Sequence, residues 1–261
     1  MVENSYWVEF FGAPGVGKST LFNEVVKKMP KDWITENQAI LNSKRILTTG
    51  KGVKSKLFKF LYTNAKIAKF LSKNHEPVNN RILLSNFIKE FSFFYNFSLD
   101  SIFNSNSTSY RKTTAFLQFL ETVKRISLLR KSNLETNILS DESFCQRMFT
   151  QLSEEDIDEE IKVESYFNNL PFKGGIVYVK LNKKEIVARI KKRYKETNKI
   201  NYMNVGLSSQ ELLNQTNRYV GYIKKGIEIL EKKGVPILHI DNSLSVEFNS
   251  NEIVRFLKNK C

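Results

Sequence analysis

The segment Gly12-Ala13-Pro14-Gly15-Val16-Gly17-Lys18-Ser19-Thr20 constrains this chain more than any other. It fits G-x-x-x-x-G-K-[S/T], the pattern of a phosphate-binding loop, and its flanks fit too. The apolar run Tyr6-Trp7-Val8-Glu9-Phe10-Phe11 leads in as a strand. A helical stripe of Leu21, Phe22, Val25, Val26 and Met29 leads out. Small residues let the backbone curl until several N–H groups face one point, and the helix N-terminus adds partial positive charge there. Gly12, Ala13, Gly15, Val16, Gly17, Lys18, Ser19 and Thr20 are therefore the expected nucleotide-binding residues. Lys18 is expected on the β- and γ-phosphates and Ser19 on Mg²⁺.

Further along, hydrophobic patterning alternates strands with helices. Trp33–Glu36, Ile138–Asp141, Ile176–Leu181 and Pro236–Ile240 read as strands after the first one. Such alternation predicts an α/β fold of three layers, a five-stranded parallel sheet with helices on both faces. A helical insert at about 40–135 is expected to stand at the carboxyl edge of the sheet, where ligands bind in open α/β folds. The whole chain, 1–261, is read as a single domain carrying that insert. Ser143 with Gln146 three residues on has capping-box spacing and predicts a helix start. The acidic run Glu154–Glu160 suits the first turns of another helix.

The formal net charge is +14, and the excess is uneven. Between Asn37 and His75 there is no Asp or Glu, whereas Lys44, Arg45, Lys51, Lys54, Lys56, Lys59, Lys66, Lys69 and Lys73 all fall there. Segment 44–73 could therefore meet nucleic acid, an anionic membrane or a phosphorylated ligand, or simply form a solvated basic face. The apolar stretch Ile82–Phe103 carries Lys89, Glu90 and Asp100, too many charges for a membrane span, and is read as a buried aromatic-rich helix. The two cysteines, Cys145 and Cys261, have no paired spacing, and no cleavable signal pattern opens the sequence. A cytoplasmic protein is expected.

Phosphoryl transfer asks for positioning and charge neutralisation more than covalent help. Asp141 closes an apolar strand, where a Walker-B-type carboxylate would hold Mg²⁺ with Ser19. Glu142 lies beside it, and the alternative for either acid is to cap the next helix. Arg189 and Arg193 stand i, i+4 on the helix after the fourth strand and share a face, so they could clamp phosphates as part of a lid at about 183–205. Glu36, at the end of the second strand, is a candidate general base. Arg147, one turn into the helix after Asp141, could face the phosphates or form a surface pair. His75 and His239 are isolated and lack metal-ligand spacing.

These pieces together resemble the P-loop kinases of small molecules, the group that includes thymidylate kinase and the deoxynucleoside kinases. The resemblance rests on GAPGVGKST, ITEN, ILSDES, IVYVKLNKKEIVARIKKR and VPILHID. It implies a sheet order of 2-3-1-4-5, ATP as donor, and a lid whose R-I-x-x-R motif is Arg189-Ile190-Lys191-Lys192-Arg193. The group's third strand ends in D-R-[S/Y]. Here it reads Asp141-Glu142-Ser143, so the arginine is missing and Arg147 is the candidate substitute. The resemblance spans roughly 150 residues and leaves out the helical block, where such kinases recognise their acceptor. It implies a small acceptor, nucleoside- or nucleotide-like, free or phosphorylated.

Two other readings stay open at this point. Asn182-Lys183-Lys184-Glu185 looks like the N-K-x-D of GTPases, although its last residue is Glu and the chain contains no D-x-x-G. An ATP-hydrolysing switch could use the basic segment to bind nucleic acid or an anionic membrane.

Overall fold

A computed structural model describes residues 6–48, 78–152, 159–171, 174–197 and 206–259. Its centre is β1 (Trp7–Phe11), buried along its whole length. The strands β2 (Trp33–Thr35), β3 (Asn137–Ser140), β4 (Gly175–Lys180) and β5 (Ile237–Asp241) complete a five-stranded sheet of order β2-β3-β1-β4-β5. Every pairing is parallel. The α/β architecture expected from the alternating pattern, and the order 2-3-1-4-5 that the resemblance implies, are what the chain adopts. Strands covered on both faces must be apolar throughout, which is why β1 and β4 read as near-continuous hydrophobic runs. Glu9, at the middle of β1 and fully buried, breaks that rule.

The helices among the described residues are α1 (Lys18–Lys28), α2 (Glu36–Leu47), α3 (Asn80–Glu90), α4 (Ser92–Phe103), α5 (Ser109–Ser132), α6 (Phe144–Gln151), α7 (Glu159–Asn168), α8 (Lys183–Thr197), α9 (Ser209–Lys232) and α10 (Val246–Lys258). The chain steps one way from β1 to β2 and the other way in every later crossover. Right-handed connections then place α1 on one face and α2 to α9 on the other. Packing agrees: α1 lies against α10, whereas α5 lies against α2, α3 and α6, and α9 against α7 and α8. Met29, in extended conformation before Pro30, ends α1 because a residue preceding proline avoids the helical region.

Two local expectations are corrected. Glu36 does not close β2: Thr35 caps the next helix in a capping box with Gln38, which makes Glu36 the first residue of α2. The stretch Ile82–Phe103 is two helices broken at Phe91, whose backbone (φ −125°, ψ 42°) leaves the helical region. Phe87, Phe94 and Ile102 are buried, but Ile82, Phe93 and Phe103 are exposed, so the block is only half covered. On α5 the buried stripe runs through Ala115, Phe119, Val123 and Ile126, with Leu117 turned to solvent. The basic segment lies mostly outside the described residues, as do His75, Glu154–Asp158 and the end of the expected lid. Lys44, which belongs to α2, is buried. No helix among the described residues is long and apolar enough to cross a membrane.

Candidate functional site

The loop after β1 curls through two left-handed glycines, Gly15 (φ 87°) and Gly17 (φ 99°). At Gly17 a side chain would also collide with its surroundings, since a Cβ there would stand 2.4 Å from Asn242 Nδ2 and 3.1 Å from Arg189 Nη1. The Val16 N–H donates to the Ala13 carbonyl (3.2 Å) and closes the turn. Lys18 is buried at the start of α1, and its Nζ donates to the Gly12 carbonyl at 2.9 Å. Burial pushes its ammonium pKa down, while the carboxylates of Glu142, Asp141 and Glu9 pull it back up. Ser19 and Thr20 follow on the exposed first turn of α1.

Asp141 stands just past β3 and faces this turn. Its Oδ2 accepts from Ser19 Oγ at 3.0 Å, and its Oδ1 is buried without a hydrogen-bond partner. Burial raises its pKa, with Ser19 and Lys18 opposing. A hydroxyl and a carboxylate with an unspent oxygen are the hard-oxygen donors that Mg²⁺ prefers, so Ser19 and Asp141 fit that cation.

The helix expected after Asp141 begins at Phe144, but no Ser143–Gln146 capping box forms. Ser143 Oγ is buried and unpartnered. The first turn is capped from across the sheet instead. Glu9 Oε1 accepts from the N–H groups of Ser143 (2.8 Å) and Gln146 (3.1 Å), and Oε2 from that of Cys145 (3.2 Å). Burial pushes the Glu9 carboxyl up to about 7 against the pull of these amides. Sequence reasoning passed over Glu9, although an acid inside a buried strand is itself a signal.

On the β3 side lies a second charged cluster. Glu36 is buried; Ser140 Oγ donates to its Oε2, and Arg125 Nε of α5 stands 3.4 Å from its Oε1. That oxygen completes no hydrogen bond. Burial raises the Glu36 pKa, with Arg125, Ser140 and Arg147 opposing. Arg125 Nη2 also reaches the Glu142 carbonyl at 3.5 Å. Arg147 turns toward α5 rather than the loop, with Nε donating to Thr122 Oγ1 (3.2 Å) and Nη1 to Gln118 Oε1 (2.9 Å). Its Nη2 lies 3.9 Å from Glu142. Two arginines, from α5 and α6, thus surround the turn that lacks one of its own. Nothing in the helical pattern of α5 distinguished Arg125 from its basic neighbours.

On the β4 side, α8 leans on the loop. Arg189 Nη1 donates to the Val16 carbonyl (3.2 Å) and Nη2 to that of Asn242 (3.3 Å). Asn242, just past β5, donates from Nδ2 to the same Val16 carbonyl at 2.6 Å. Arg193, one turn beyond, is exposed. The structure therefore brings Arg189 to the loop and leaves Arg193 in solvent. Asn182 accepts from the Lys184 N–H (2.9 Å) and caps α8, so the N-K-x-D-like segment spends its asparagine on the helix. His239 is not isolated: it contacts Glu231 at 2.9 Å and Lys180 at 3.2 Å on the surface.

No family model and no curated protein matches the chain. Solved structures of deoxyadenosine kinase from M. mycoides are similar to it. The form with bound dATP has a TM-score of 0.46 and 17% identity. The form with products dCMP and a flexible dCDP bound has a TM-score of 0.45 and 16% identity. Each likeness covers 97% of this chain and 99% of the other.

Proposed function

We propose that the protein is an ATP- and Mg²⁺-dependent phosphotransferase that moves the γ-phosphate to a hydroxyl of a small acceptor. The observation that carries this reading is a pair of buried carboxylate oxygens without hydrogen-bond partners, one on each side of the turn after β3. Asp141 Oδ1 lies beside Ser19, and Glu36 Oε1 lies beside Arg125. The first suits a cation and the second suits the proton of an incoming alcohol.

In this reading the loop amides and Lys18 receive the phosphates, and Ser19 with Asp141 holds Mg²⁺, which supplies charge neutralisation when bound. Glu36 takes the acceptor proton, its raised pKa making it a better base than an exposed carboxylate. Arg189 stabilises the donor from above the loop, and Arg193 joins it only if α8 moves.

Charge narrows the acceptor. Arg125 is paired with Glu36, and Arg147 is engaged by Gln118, Thr122 and Glu142. Neither arginine is spare for an acceptor phosphate, which favours an uncharged alcohol over a phosphorylated compound. A nucleoside-like alcohol is the class that the sequence resemblance suggests. The test is a screen with labelled ATP against nucleosides, nucleoside monophosphates and sugars. A labelled product from an uncharged alcohol is expected. ATP consumption with no labelled product sinks the reading, and transfer only to monophosphates sinks the assignment of acceptor charge.

A further inference from the structure

Glu9 sits where an apolar residue would cost less. Val8 and Phe10 on either side are fully buried, as it is, and a carboxylate in such a place is unfavourable unless its oxygens are used. Here they are used, on three amides of one helix start. An anion at a helix N-terminus satisfies orphan N–H groups and meets the helix dipole favourably. Local residues normally do this, and the unpartnered Ser143 hydroxyl was available for it.

The consequence lies in the turn between the two tied ends. β3 runs beside β1 with Ser140 opposite Glu9. Three residues later the Ser143 N–H is fastened to the carboxylate of that same Glu9. Asp141 is therefore held at both ends to β1, the strand that continues into the loop and Ser19. We infer that Glu9 is a positioning residue for the cation pair, holding the Asp141 turn at the distance from the loop at which Asp141 and Ser19 act on one Mg²⁺. It touches neither nucleotide nor metal and acts through Asp141. Glutamine has the same shape, but it offers one acceptor oxygen in place of two and turns an N–H toward donors. This inference rests on the proposed Mg²⁺–ATP chemistry.

The test is calorimetry of ATP binding with and without Mg²⁺, on wild type, Glu9→Gln, Asp141→Asn and the double variant. Glu9→Gln is expected to cut the tightening produced by Mg²⁺ by about tenfold, the scale on which outer partners of a metal ligand act. Mg²⁺-free binding should change by less than the Mg²⁺ effect, since the loop amides are untouched and Glu9 acts on Lys18 less than Glu142 and Asp141 do. In the Asp141→Asn background Glu9→Gln should add nothing further, because both act on one element. An intact Mg²⁺ effect in Glu9→Gln, or independent addition of the two substitutions, overturns the inference. A wild-type protein that binds ATP with no Mg²⁺ effect overturns it as well, and one that binds no ATP overturns the proposed function. Should Glu9→Gln fail to fold, Glu9→Asp keeps the carboxylate charge but shortens its reach to the three amides. A smaller loss of the same sign is expected from it, and an unchanged Mg²⁺ effect overturns the inference.

Discussion

The loop from Gly12 to Lys18 and the cluster around Glu36 sit on the same sheet edge but are made of different material. The loop is backbone: its curvature comes from Gly15 and Gly17, and its groups come from one contiguous segment. The Glu36 cluster is side chain: α2 supplies Glu36, α5 supplies Arg125, Gln118 and Thr122, and α6 supplies Arg147. Those residues lie up to 111 positions apart (147 − 36) in the chain. A phosphate is the same in every donor, so backbone amides can serve it without variation. An acceptor differs from enzyme to enzyme, and side chains on separate helices can change one at a time.

Removing Lys18 should give the largest effect on the loop side. Lys18→Ala takes away the one side-chain cation set into the loop, and transfer is expected to fall by on the order of 10³-fold or more. Single-turnover transfer from labelled ATP reads this, and turnover within tenfold of wild type would falsify the loop assignment. On the cluster side, Glu36→Gln keeps shape and removes the base. A loss of roughly 10²-fold or more in kcat is expected, with donor KM little changed. The pH profile adds a sign. Burial raises the Glu36 pKa, and a base works only when ionised, so transfer should fall off as pH drops, starting above the ordinary carboxylate range. That acid limb should vanish in Glu36→Gln. A variant with the wild-type profile would show that the base lies elsewhere.

The same contrast decides what could be read in advance. Loop and sheet were legible because each follows from local pattern, a nine-residue motif and alternating apolar runs, whereas the strand order was implied only by the family resemblance. The Glu36 cluster was legible only in part. Glu36 was singled out as a strand end, yet Thr35 takes the cap and hands Glu36 to α2, where burial beside Ser140 gives it its character. Arg125 is one basic residue among several on α5, and only packing against α2 and α6 selects it. Glu9 escaped for a different reason, since the strand around it was read by its apolar majority. The Ser143–Gln146 box failed at the same point, because a carboxylate one strand away outcompetes a local hydroxyl for the same amides. In each case local sequence proposed a partner and the sheet supplied another.

Arg189 and Arg193 ask whether α8 belongs to the loop side as it stands. Arg189 holds two carbonyls, those of Val16 and Asn242, so Arg189→Ala should weaken both ATP binding and the seat of α8 on the loop. An effect of about tenfold in ATP affinity is expected, the scale of one charge-assisted contact. Arg193→Ala should change affinity by less than about twofold while raising the barrier to transfer if the lid closes. Equal losses in affinity would mean that both arginines already grip the donor.

The backbone character of the loop is tested most directly at Gly17. Gly17 has a φ of 99°, in the region where a side chain strains the chain, and its missing Cβ leaves room for Asn242 Nδ2 to reach the Val16 carbonyl. Gly17→Ala meets both constraints at once and should destabilise the fold by about 1–3 kcal/mol, read from urea denaturation of the nucleotide-free protein. Its effect on binding should exceed what lost stability explains, because the shifted amides no longer converge. No comparable sensitivity is expected for conservative changes on the α5 face, such as Thr122→Ser, which keeps the hydroxyl that Arg147 uses. If Gly17→Ala were as stable and as well bound to ATP as wild type, the loop would owe its shape to packing by Asn242 and α8 rather than to its own backbone, and the contrast between the two sides would dissolve.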